Sequence, residues 1–286
     1  MTRFLILDVF TEAPFGGNPL AVIPDATDVP EERLQRIARE FNFSETVFIY
    51  PPAEPGHTAA LRIFTPMNEI PFAGHPTIGA AVVLASLGHG PDMVLDLGVG
   101  PIAATSYGTS ATFTTTVPLS RKVKPLPADV ARCLNLSVDA IETRTHPPEV
   151  VGVGLEFCMA ELVSADALVA CTPVIAAFRA AVAKYPGSLD FPILAYVRDG
   201  ETVRARMFGP LDNIPEDPAT GSAAAGLAAY LAELQGCDVT LDIQQGVEMG
   251  RPSYISARAA FEDGKVHSVT VSGQTVHVAE GRLTLP

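Results

Sequence analysis

Apolar and polar positions along the chain follow two periods, and the switches between them mark out its elements. Leu5 to Phe10 and Leu20 to Ile23 read as strands around the turn-rich Pro14-Phe15-Gly16-Gly17-Asn18-Pro19. Leu34, Ile37 and Phe41 recur at helical spacing, which predicts an amphipathic helix from Glu31 to Phe41. The period then drops to two. Phe43, Glu45, Val47 and Ile49 share one face of the next strand, and Ser44, Thr46 and Phe48 share the other. A strand from Ala60 to Thr65 leads to a helix from Pro76 to about Leu87 that is apolar nearly all round, as a helix wrapped by a sheet would be. Strands follow at Val94 to Leu97, Ile102 to Tyr107 and Ala111 to Val117.

Beyond the proline-bearing stretch from Lys122 to Pro127, the same order returns. A strand is predicted near Glu156 to Leu162, a helix near Val174 to Lys184, and strands at Pro192 to Arg198 and Val203 to Phe208. A second apolar helix runs from Pro218 to about Gln235, and a strand from Val239 to Ile243. From Tyr254 onward the chain reads as strands, with a hairpin turn at Glu262-Asp263-Gly264-Lys265.

This return is visible residue by residue. Arg62-Ile63-Phe64-Thr65-Pro66-Met67-Asn68-Glu69-Ile70-Pro71 is echoed by Arg206-Met207-Phe208-Gly209-Pro210-Leu211-Asp212-Asn213-Ile214-Pro215. His75-Pro76-x-x-Gly79-x-Ala81 is then answered by Asp217-Pro218-x-x-Gly221-x-Ala223. The expected architecture is α+β, with two pseudo-symmetric modules. Each is a curled, mostly antiparallel sheet around a central apolar helix. Residues 1–120 form the first module, completed by a last strand at about 273–286, and residues 121–272 form the second. A cleft between them is expected to bring His75 and Asp217 face to face.

Composition narrows the partners. Nineteen basic and 32 acidic residues leave a net charge of −13, which argues against nucleic acid and anionic membranes. No targeting segment is visible, because Phe4-Leu5-Ile6-Leu7 runs straight into Asp8. The longest apolar helix is too short to span a bilayer. Cys133, Cys158, Cys171 and Cys237 lack CxxC spacing, and read as buried small hydrophobes in a reducing cytoplasm. Neither GxxxxGK[ST] nor HExxH occurs, and lysines number only four. No metal and no cofactor are expected.

Candidate chemistry gathers at the two apolar helices. Pro76 and Pro218 suit a first helical position, which would place His75 and Asp217 at the caps. The free N–H groups beyond them would offer a small anion a favourable site. Asp is a favoured cap, so Asp217 alone reads as structural, whereas His is not, and His75 points to function. Gly79 and Gly221 suggest close approach of something, and common descent explains them equally well. Strict alternation turns Glu45 inward, where burial would raise its pKa toward the range useful for proton exchange. A place at the strand's start, in water, is the competing reading.

These residues also lie in longer motifs. Asp8-Val9-Phe10-Thr11, Pro14-Phe15-x-Gly17-Asn18-Pro19, Asn42-Phe43-Ser44-Glu45-Thr46, Gly74-His75-Pro76-Thr77-Ile78-Gly79 and Glu216-Asp217-Pro218-Ala219-Thr220-Gly221-Ser222-Ala223 resemble the phenazine-biosynthesis isomerases, the PhzF-like proteins. The resemblance spans nearly the whole chain. It implies the two-module fold of diaminopimelate epimerase and a cofactor-independent isomerase, often homodimeric. The family's type reaction moves a hydrogen within a dihydro-hydroxyanthranilic acid. It implies further that Glu45 is the acid/base, with His75 and Asp217 as polar partners of the substrate. Ser44, Gly74, Gly221 and Ser222 become substrate-binding positions, with Asn18 added to that pocket. A racemase or epimerase of amino acids and a non-catalytic binder of small carboxylates are the alternatives.

Overall fold

The computed structural model describes residues 1–187 and 189–284. Residues 285 and 286, the end of the expected last strand, lie outside the described residues. Strands hold 41% of the chain and helices 24%, a mixed α+β composition as expected. The chain divides into two compact units. One comprises Met1–Thr115 together with the chain from Thr270 onward, and the other comprises Thr116–Val269.

The first unit contains β1 (Thr2–Val9), β2 (Asn18–Ile23), α1 (Glu31–Phe41), β3 (Glu45–Tyr50), β4 (Ala59–Phe64), β5 (Glu69–Ile70), α2 (Gly74–Ser86), β6 (Asp92–Leu97), β7 (Gly100–Tyr107) and β8 (Ser110–Thr115). The second contains β9 (Ser120–Arg121), α3 (Pro127–Cys133), β10 (Glu149–Gly152), β11 (Phe157–Glu161), α4 (Ala165–Ala170), α5 (Ile175–Lys184), β12 (Ile193–Asp199), β13 (Thr202–Gly209), β14 (Ile214–Asp217), α6 (Gly221–Gln235), β15 (Val239–Gln245) and β16 (Ser253–Glu262). The final strand, β17 (Lys265–Leu283), begins in the second unit and continues into the first. Asp263 and Gly264 take positive φ between β16 and β17, the geometry of a tight hairpin.

In the first unit, pairing runs β1-β2-β3-β4-β6-β7-β8-β17 and returns to β1, so the sheet closes. Closure removes exposed edges. Helix α2 is buried from Gly74 to Ala81 and again at Val83 and Leu84, and it packs on β1, β2, β3, β7 and β8. This accounts for its lack of a polar face. Helix α1 instead covers one flank, seating Leu34, Ile37 and Ala38 against Ile23, Phe48 and Phe64.

The pairings repeat in the second unit. There β11 joins β12 in parallel, as β2 joins β3, and β13 pairs antiparallel with β14 and parallel with β15, as β4 does with β5 and β6. Helix α6 is buried from Gly221 to Ala232 and packs on β10, β11, β15 and β16.

The repeated Arg-x-Phe has a structural role in each unit. The Arg62 guanidinium lies 5.3 Å from the Phe64 ring, and that of Arg206 lies 4.9 Å from the Phe208 ring. Arg62 also bonds Glu31 and Glu69 in exposed pairs. Arg206 is buried. It donates to both carboxylate oxygens of Glu216 at 2.8 Å and to the carbonyls of Leu168, Val169 and Cys171.

Two helix starts differ from expectation. Helix α2 begins at Gly74 with Ala73 as N-cap, so His75 lies inside the first turn and Pro76 one residue later. That place still costs proline nothing, since the N–H groups of the first turn have no intrahelical partner. Helix α6 begins only at Gly221, with Thr220 as N-cap. Pairing of Asp217 with Met207, together with the hydrogen bonds that the Gln245 side chain donates to the Asp217 carbonyl and accepts from the Thr220 N–H, holds the chain out of helix until Thr220. His75 and Asp217 are therefore not caps, and they occupy different local structures.

Candidate functional site

In the first unit the motif residues build a small polar cluster. Asp8 on β1 accepts a hydrogen bond from the Phe15 N–H at 2.6 Å, and Phe10 and Phe15 both take positive φ. Such backbone strain in bulky residues is held only where surroundings enforce it. The loop so shaped delivers Asn18 to the start of β2, fully buried beside Val9 of β1. Asn42 ends α1 in the left-handed conformation, with its N–H on the Ala38 carbonyl. Only two residues, Phe43 and Ser44, then separate it from Glu45, the first residue of β3. The Asn-Phe-Ser-Glu motif is thus a helix stop joined to a strand start. Gly79 is the other fixed point, because a side chain there would collide with Leu20 of β2. Its absence lets α2 sit against β2, so the close approach expected of Gly79 is made by Leu20.

These elements bring three predicted residues together. The His75 Nδ1 atom lies 3.3 Å from Glu45 Oε2 and 3.4 Å from Asn18 Nδ2. His75 is only 3% exposed and the Glu45 side chain 13%. Burial pushes the His75 pKa down to about 3, so its ring is neutral at physiological pH. Among the described residues, His75 Nε2 has no hydrogen-bond partner. Glu45 opens the strand, as the competing reading had it, but its side chain is largely withdrawn from water rather than in it.

Asp217 ends β14 in the second unit and is buried. Its Oδ2 accepts from Thr220 Oγ1 at 2.6 Å, while Gln245 Nε2 donates to the Asp217 carbonyl at 2.7 Å and to Thr220 Oγ1 at 3.0 Å. The Thr220 N–H returns a bond to Gln245 Oε1 at 3.2 Å. Gly246, at φ 74°, follows Gln245, and any side chain there would strike the Pro218 and Arg251 carbonyls. Thr220 and Gln245 were not expected here. Thr220 carried a local signal as a cap-type residue before a helix, but Gln245 comes from a distant strand and carried none.

Both helix starts lack a side-chain cap. Ala73 has no polar group, and Thr220 spends its hydroxyl on Asp217. Gly74 is the first residue of α2, and Gly221 and buried Ser222 are the first two of α6. Their first-turn N–H groups are suited to an anion. Ser44 lies in the short connection just before β3. The cysteines split: Cys133, Cys158 and Cys171 are buried, but Cys237 is exposed, contrary to expectation, because it follows α6 immediately after its Gly236 stop.

Comparison with known proteins fixes the family. Residues 7–281 match the family described as phenazine biosynthesis-like protein. The chain belongs to that family. As a phenazine biosynthesis-like protein it is 36% identical over 297 residues to the trans-2,3-dihydro-3-hydroxyanthranilate isomerase of Pseudomonas aeruginosa, with 100% of each chain covered. A solved structure described as a predicted epimerase from Pseudomonas aeruginosa is 31% identical, with a TM-score of 0.82 and 100% of each chain covered. A phenazine biosynthesis protein from Bacillus anthracis superposes with a TM-score of 0.86 at 21% identity over 99% of each chain, which establishes the shared fold. The expected resemblance is met.

Proposed function

We propose that this protein is an isomerase that moves a hydrogen within trans-2,3-dihydro-3-hydroxyanthranilate or a closely similar cyclic carboxylate. In this reading Glu45 takes the hydrogen from one ring carbon as a proton and returns it to another, using no cofactor. Electrons released at the first carbon shift through the conjugated system, so the substrate supplies both donor and acceptor, and nothing is oxidised overall. Carrying the reading is the placement of the Glu45 carboxyl 3.3 Å from a buried, neutral imidazole. Such a base is largely shielded from water beside a group that carries no charge of its own, a setting suited to proton exchange.

The uncapped start of α2, in the same unit as Glu45 and His75, serves the same substrate in this proposal. Uncapped N–H groups favour its carboxylate, and they do so despite the acidic net charge. Positioned acid/base groups supply about 10²–10⁴-fold of rate acceleration, leaving the rest to stabilisation of developing charge. An amino-acid racemase of this fold would call for paired bases, commonly thiols, and neither position 75 nor 217 is cysteine. The proposal extends to a homodimer in the cytoplasm, and light scattering tests the former.

Glu45→Gln is the test. With the dihydro-hydroxyanthranilate in D₂O, the wild type is expected to form product carrying solvent deuterium, while the variant binds substrate without exchange. Deuterium incorporation by Glu45→Gln at the wild-type rate would remove Glu45 from the reaction. Product formation by neither protein would remove this substrate class.

A further inference from the structure

A neutral imidazole carries one N–H, and which nitrogen holds it decides what a histidine can donate or accept. At His75 the two nitrogens face different surroundings. Nδ1 meets the amide Nδ2 of Asn18 at 3.4 Å and the Glu45 carboxyl at 3.3 Å, whereas Nε2 is buried and meets no partner among the described residues.

An amide NH₂ group donates and never accepts. A hydrogen bond between Asn18 and His75 therefore requires a lone pair at Nδ1, which places the ring proton on Nε2. This leaves a buried N–H with no acceptor among the described residues, an arrangement that is costly unless a ligand oxygen completes it. We propose that Asn18 is a positioning residue that holds His75 as the Nε2–H tautomer, so that Nε2–H is a hydrogen-bond donor reserved for an oxygen of the substrate.

Asn18 fills the single lone pair at Nδ1, so Nδ1 has no hydrogen to offer the Glu45 carboxyl beside it. Asn18 acts through His75 and does not itself need to touch substrate. This rests on the isomerase reading for the identity of the oxygen, but the tautomer itself does not.

The experiment is nitrogen NMR on the full-length protein with ¹⁵N-labelled histidine, the His75 signals being those lost in His75→Gln. In the wild type at pH 7.5, Nε2 is expected to carry the proton and Nδ1 none. A proton on Nδ1 would overturn the proposal, and this measurement needs no variant at position 18 to fold. In Asn18→Asp the neighbour becomes an acceptor, so the proton is expected to move to Nδ1. A folded Asn18→Asp protein whose His75 remains protonated at Nε2 would show that Asn18 does not set the tautomer. Loss of the isomerase reading would leave these spectra unchanged, and loss of the tautomer would leave solvent exchange through Glu45 intact.

Discussion

Folding should become less favourable in mild acid, and His75 should account for a measurable share. An unfolded histidine titrates near 6.5, while the buried ring holds out to about 3. Its folded pKa is depressed, so above 6.5 the residue imposes no proton-linked penalty. As pH falls from 6.5 toward 3, the unfolded chain takes up a proton that the folded chain refuses. Between pH 7.5 and pH 5 this amounts to about 2 kcal/mol against folding, at about 1.36 kcal/mol per pH unit. The figure is insensitive to the folded pKa as long as that value lies well under 5. Glu45, 3.3 Å away, works in the opposite sense by favouring an imidazolium, but burial is the stronger effect. Urea denaturation of the wild type and His75→Gln across this range measures the difference. The variant lacks the titration, so the wild type should lose about 2 kcal/mol relative to it on going to pH 5. His146, whose pKa burial also lowers, is present in both and cancels. A stability gap constant to within about 0.5 kcal/mol would mean that the folded ring takes up its proton at ordinary pH, and the account of a neutral His75 would fail.

Gly79→Ala should destabilise the protein by about 1–3 kcal/mol through collision with Leu20, partly offset by about 1 kcal/mol of helix propensity, as read by thermal or urea unfolding. Replacement of the buried Arg206 by Met should cost about 3–5 kcal/mol by stranding Glu216, whereas Arg62→Met, at the exposed counterpart, should cost about 1 kcal/mol or less. Equal losses would refute that contrast. A thiol reagent applied to the native protein should modify Cys237 alone. Burial shields Cys133, Cys158 and Cys171 and raises their pKa values, to about 12 for Cys133 and Cys171. Mass spectrometry counts the modified sites.

Much of the fold was legible in periodicity. The spacing of Leu34, Ile37 and Phe41 predicts α1 over the residues it occupies, because one face is buried and the other is wet. The apolar runs of α2 and α6 announce buried helices for the opposite reason. Short elements escaped. Helices α3 and α4 and strands β10 and β14 are too brief to display a period, and pairing with the adjacent strands β11 and β13 holds the two strands in place. Proline marks a first turn without saying which residue of it, and so leaves the helix starts at Gly74 and Gly221 unmarked. At the site, the motifs singled out Asn18, Glu45 and His75, which the first unit gathers within hydrogen-bonding range. Local sequence carries no information about Gln245, which reaches Asp217 from β15, nor about the charge of His75, which depends on burial by other strands.

Strand β17 has a consequence for how the chain is made. During synthesis Thr2–Val9 is made long before its partners, residues 275–283. The first unit cannot seal until residues 275–283 have been made, by which time the intervening segment 116–269 is already synthesised and free to fold. Meanwhile β1 waits with one edge unpaired, exposed to whatever else could pair with it. A chain truncated before Thr275 would leave β1 open along that edge.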